Sequence, residues 1–102
     1  MSREGHTIEG PYGAIRIDAD ALSGLVVASA ELVEGARVRR PRRGLDLTVK
    51  EGTAKVSLEL AAPYGVSLPT LARSVQASVA AALLGSAGLA SVVDVSIEEL
   101  NS

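Results

Sequence analysis

An α+β fold, built as a two-layer α/β sandwich with both helices on one face of a mainly antiparallel sheet, follows from three features of this 102-residue chain. Four segments alternate apolar and polar residues with the period of two that a half-buried strand requires, and two segments repeat apolar residues at helical spacing. Their order is strand, helix, strand, strand, helix, strand. Each strand has one apolar face and each helix one apolar stripe, so a single layer of helices on a single sheet buries them all. Right-handed crossovers favour a split βαβ, ferredoxin-like strand order, and a KH-like or otherwise permuted order satisfies the same pattern.

Residues 1–10 are polar, contain glycine and show no periodicity; they read as a flexible N-terminal tail ahead of a single domain over residues 11–100. From Gly13 to Asp18 the chain alternates, with Ile15 and Ile17 on one face and Arg16 on the other. Asp18 ends that strand and is placed to cap the helix that follows. From Ala19 to about Val33 the residues Leu22, Leu25, Val26, Leu32 and Val33, with Ser29 among them, share one helical face, and Gly24 costs that helix roughly 1 kcal/mol relative to alanine. Residues 34–44, with two glycines and a proline, break both periods and read as a loop.

Leu45 to Lys50 alternates again, Glu51-Gly52 supplies a hairpin turn, and Thr53 to Ala62 places Ala54, Val56, Leu58 and Leu60 on one face. The opposite faces carry Asp46, Thr48, Lys50, Lys55, Ser57 and Glu59 and belong in water. The best-patterned helix runs from Leu68 to Leu84, where Leu68, Leu71, Ala72, Val75, Val79, Ala82 and Leu83 stack on one side. Ser67 stands at its N-cap, Pro69 fits the first turn, and Gly85 or Gly88 can end it in a left-handed conformation. Val93, Val95 and Ile97, alternating with Asp94, Ser96 and Glu98, form the closing strand. Pro-Tyr-Gly occurs at residues 11–13 and 63–65, once before a strand and once after one, which is shared turn chemistry rather than a repeat.

Composition narrows the function. The chain has no cysteine, so disulfides, thiolate metal sites and a cysteine nucleophile are all excluded. Two tyrosines with neither Phe nor Trp leave few platforms for stacking single-stranded nucleic acid. The chain has neither an apolar run of membrane-spanning length nor a signal peptide's apolar region, so a cytoplasmic protein is expected. His6, the sole imidazole, lies in the tail, and no Gly-x-Ser-x-Gly elbow accompanies it, which argues against Ser-His-acid hydrolysis. The segment from Gly85 to Gly88 lacks the lysine and the strand-then-helix setting of a phosphate loop. No catalytic residue, cofactor site or metal site is read from the chain, and an enzyme is not expected.

Two features remain as interaction surfaces. Arg37, Arg39, Arg40, Arg42 and Arg43 gather half of the ten basic residues into one loop, leaving an acidic body behind. Clustered guanidinium groups bind phosphates and carboxylates bidentately, so an anionic partner, whether RNA, anionic lipid or an acidic protein, is the alternative reading of the chain. The acidic overall balance argues against a dedicated nucleic-acid binder. The second feature is the outward side of the helices, with Thr70, Arg73, Ser74, Ala77, Ala80, Ala81 and Leu84 on the second helix and Val27 on the first. Val27, Ala77, Ala80, Ala81 and Leu84 form an uncharged face suited to self-association or to docking a protein partner. Direct membrane insertion is not expected, because the polar side of this helix offers only Arg73 as a cation.

These residues, in this order, resemble the alkaline shock protein family of Gram-positive envelope stress response proteins. The resemblance runs from about Gly13 to Leu100. It rests on Gly13-Ala-Ile-Arg-Ile before the first helix, Glu34-Gly35 after it and Val56-Ser-Leu-Glu-Leu in the third strand. Tyr64-Gly65-Val-Ser-Leu-Pro69 leading to Val75-Gln76, and Gly88-Leu89 ahead of Val93-Asp-Val-Ser-Ile, complete it. It implies a small cytoplasmic protein without catalysis, engaged in cell-envelope homeostasis as an interaction or scaffold module. Some members of such a family are held at the membrane by an anchored partner or tied to lipid metabolism. The arginine-packed loop and the shortage of Lys and aromatic residues depart from the family pattern.

Overall fold

The computed structural model describes residues 5–39 and 45–100. Its elements are strands β1 (His6–Gly10) and β2 (Gly13–Ile17), helix α1 (Ala19–Glu31), strands β3 (Arg37–Val38), β4 (Leu45–Lys50) and β5 (Thr53–Pro63), helix α2 (Leu68–Ala87) and strand β6 (Ala90–Leu100). The α+β sandwich expected from the pattern is the fold formed.

β5 is the central strand of the main sheet. β4 lies antiparallel along its first half, from Lys50 opposite Thr53 to Leu45 opposite Leu58, and β3 continues the same side with Val38 opposite Leu60 and Arg37 opposite Ala61. On the other side β6 runs parallel to β5 along its whole length, Thr53 beside Ala90 through Pro63 beside Leu100. A parallel neighbour needs a crossover connection, and α2 supplies it. Because β5 and β6 pair directly, the slot that a split βαβ order reserves for the first strand is closed. The permuted order is the one formed, for a physical reason: two eleven-residue strands in continuous register satisfy more backbone groups than a five-residue strand inserted between them could.

β2 pairs instead with β1, antiparallel, in a separate two-stranded hairpin with Gly10 opposite Gly13. Residues 6–10, expected within a loose tail, are thus strand. The expected loop at residues 34–44 also contains β3, where Arg37-Val38 gains backbone partners on β5 and the Val38 N–H donates to Glu31 Oε2 at 3.0 Å.

The core lies between the sheet and the two helices. Ala54, Val56, Leu58, Leu60 and Ala62 of β5 are buried against Leu22 and Val26 of α1 and against Leu71, Val75, Val79 and Leu83 of α2. The helices are also joined by a hydrogen bond, Ser78 Oγ donating to the Ser29 carbonyl at 2.6 Å. Asp18 caps α1 as expected, its Oδ1 accepting from the Ala21 N–H at 2.9 Å. Ser67 occupies the N-cap position of α2 without making that bond; its hydroxyl donates to Thr70 Oγ1 instead. Gly88, not Gly85, caps the end of α2, whose last residue, Ala87, lies three beyond the expected Leu84.

The turn between β4 and β5 places Glu51 at φ 54° and Gly52 at φ 77°, both in the left-handed region that a two-residue hairpin loop demands. Glycine adopts it freely and glutamate does not. Glu51→Asn should therefore stabilise the protein by about 0.5–1 kcal/mol, read as a rise of a few degrees in melting temperature. A fall would mean that the glutamate side chain holds the turn through a contact of its own.

Candidate interaction surfaces

Two faces of the sandwich carry the residues singled out from the sequence. On the open face of the sheet, Val38 pairs with buried Leu60 and therefore turns inward, which directs its neighbours Arg37 and Arg39 outward by strand alternation. The Arg39 N–H donates to the Glu59 carbonyl at 2.9 Å, and its guanidinium forms an ion pair with Glu98 on β6. Both side chains are about half exposed, at 46% and 55%, so the pair contributes at most about 1 kcal/mol. A shallow pocket there is lined by Arg39, Glu59, Leu60, Ser96, Ile97 and Glu98. Two carboxylates beside one guanidinium give it no excess of positive charge. Arg37 is exposed; Arg40, Arg42 and Arg43 lie outside the described residues.

On the opposite side of the molecule, α2 presents Thr70, Arg73, Ser74, Ala77, Ala81 and Leu84 to solvent, with Leu84 63% exposed. These positions form one stripe at helical spacing. Ala80 and Val27 are half-buried, so the outward apolar surface narrows to Ala77, Ala81 and Leu84. Arg73 is the single charged residue of this twenty-residue helix.

The structure also gives roles to polar residues whose partners are distant in sequence. Gln76 Nε2 donates to the Val93 carbonyl of β6 at 2.9 Å, fixing α2 to the strand that follows it. Glu99 Oε2 accepts from the Gly65 N–H at 3.2 Å and ties the end of β6 to the turn ahead of α2, where Gly65 has φ 96°. Local patterning carries no signal for either bond, because each depends on a register between elements. Among the described residues no group of three or more His, Asp or Glu side chains is placed to hold a metal ion, and no helix is long and apolar enough to cross a membrane.

Among solved structures, a double variant of the MamM CTD shares the fold with a TM-score of 0.58 and 20% identity, covering 81% of this chain and 95% of that one. A cadmium form of another MamM CTD variant gives the same TM-score at 22% identity, over 80% of this chain and 96% of that one. At this identity the likeness is one of fold. No curated protein sequence matches. The model of the alkaline shock protein 23 family, described by a cell envelope-related function, matches residues 15–102, from β2 through β6, and the chain belongs to that family.

Proposed function

We propose that this protein is a non-catalytic interaction module of the cell envelope, held at the inner face of the membrane by a membrane-associated protein that docks on the outward stripe of α2. The observation that carries the reading is the make-up of α2: a solvated helix face is ordinarily charged, and this one carries Ala77, Ala81 and Leu84 with Arg73 as its only charge. Small side chains allow a partner helix to approach closely, and Leu84 provides an apolar anchor at one end. Membership of a family with cell envelope-related function supports the same reading. The alternative, an anion-binding module using Arg37, Arg39, Arg40, Arg42 and Arg43, is weakened at Arg39 because Glu98 already occupies that guanidinium.

Sedimentation with native membranes tests the proposal. Wild-type protein is expected to sediment with them, to lose that binding when they are stripped with protease, and to stay in solution with vesicles of anionic lipid alone. Leu84→Glu should weaken binding about tenfold or more by replacing the apolar anchor with a charge, whereas Arg37→Ala with Arg39→Ala should leave it unchanged. Binding to bare anionic vesicles that falls with salt and with loss of the arginines would overturn the proposal in favour of the anionic reading.

A further inference from the structure

We infer that the β1–β2 hairpin of one molecule adds to the outer edge of β6 in a second copy of the chain, extending its sheet. Three observations lead there. First, the hairpin has no place in its own sheet: β2 pairs only with β1 among the described strands, and direct β5–β6 pairing closes the interior slot. A two-stranded hairpin is at best marginally stable alone in water, and this one is amphipathic. His6, Ile8, Ile15 and Ile17 share one face by cross-strand register, yet Ile15 is 61% exposed. The family match begins at residue 15, inside β2.

Second, β6 offers the complementary edge. Strand alternation sends both backbone groups of each residue to one side. The Arg39 N–H bond to the Glu59 carbonyl assigns the odd residues of β5 to the β3 and β4 side, hence the even ones to β6. In the parallel register this points the backbone groups of Ser91, Val93, Val95, Ile97 and Glu99 away from β5. The Gln76 bond to the Val93 carbonyl agrees, since it reaches that group from outside the ladder. Gln76 covers that one acceptor and leaves the stretch from Val95 to Glu99 available. The strand has no Lys or Pro, the residues that ordinarily discourage edge pairing.

Third, the side chains match. Beside fully buried Leu58 and Leu60, their β6 neighbours Val95 and Ile97 remain half-buried, because the core layer stops at this edge. A β2 strand laid along β6 with exposed Ile15 toward the helices would cover them, while Ile17 stays packed against its own core. The same orientation turns Arg16 to the open face, where β6 exposes Asp94, next to a Glu98 that already pairs with Arg39. The pairing unites two different surfaces, so each molecule both gives a hairpin and receives one.

The chain lacks cysteine, which makes disulfide trapping selective. Arg16→Cys protein is mixed, under mild oxidation, with Asp94→Cys or Glu98→Cys protein. Mixed dimers are expected in large excess over those formed between Arg16→Cys and either Leu84→Cys or Ser57→Cys, which place the thiol on α2 or inside the sheet. Preferential trapping through Leu84→Cys, or sedimentation as a monomer at millimolar concentration without trapping, would overturn the inference. In a second arm Val95→Pro removes an outward N–H of the edge. Self-association should vanish while circular dichroism stays native, and association that persists in the folded variant would equally overturn it.

Discussion

Leu58→Ala should lower the melting temperature by about 15 °C, corresponding to a loss of roughly 3 kcal/mol. Leu58 is 1% exposed on the central strand, flanked in register by Leu45 of β4 and Val95 of β6 and covered by the helices. The side chains packed around it are Ala, Val and Leu, since the chain has neither Phe nor Trp. Such short groups have little reach, so the space left by truncation stays open and the lost contacts are not replaced. Thermal unfolding followed by circular dichroism measures the effect. Leu84→Ala, on the outward stripe of α2, provides the contrast and should move the midpoint by no more than about 2 °C. Equal losses at the two positions would mean that the outward face of α2 is already covered in the isolated protein.

Gly88→Val is expected to be the next most damaging change, at about 2 kcal/mol and roughly 10 °C in melting temperature. Gly88 ends α2 at φ 68° and ψ 25°, where its N–H donates to the Leu84 carbonyl at 3.1 Å and the following Leu89 N–H returns to the Leu83 carbonyl at 3.0 Å. That reversal aims fully buried Leu89 into the core and starts β6 in register with Thr53. No side-chain clash is involved, because a Cβ at this position would meet nothing within 4 Å. The cost arises from the left-handed backbone, which a β-branched residue resists most strongly. Gly88→Asn should accordingly lose much less than Gly88→Val, and identical losses would point to a steric cause instead.

The elements themselves were readable because each is specified by residues close in sequence. Asp18 sits one position ahead of an apolar-periodic run, Glu51-Gly52 joins two alternating segments, and the stripe of Leu71, Val75, Val79 and Leu83 can face only one way. β1 was not readable, since His6 to Gly10 holds a single apolar residue, Ile8, and draws its order from Ile15 and Ile17 across the hairpin. β3 was hidden for a related reason: Arg37-Val38 is a strand only because Ala61 and Leu60 lie beside it. The two interaction surfaces divide in the same way. The uncharged stripe of α2 follows from helical spacing alone, whereas the engagement of Arg39 by Glu98 required two strands brought together across β5.

By itself the sequence determined the number and type of the main elements, the side each turns to the core and the family to which the chain's motifs point. All of these depend on spacing along the chain, which periodicity and capping chemistry fix locally. Only the tertiary structure decided strand order, the exclusion of the N-terminal hairpin from the main sheet and the place of β6 at the sheet's edge among the described strands. These are choices between pairings of nearly equal local merit, and they are settled by which long strands can satisfy most backbone groups while burying Val56, Leu58 and Leu60 under both helices.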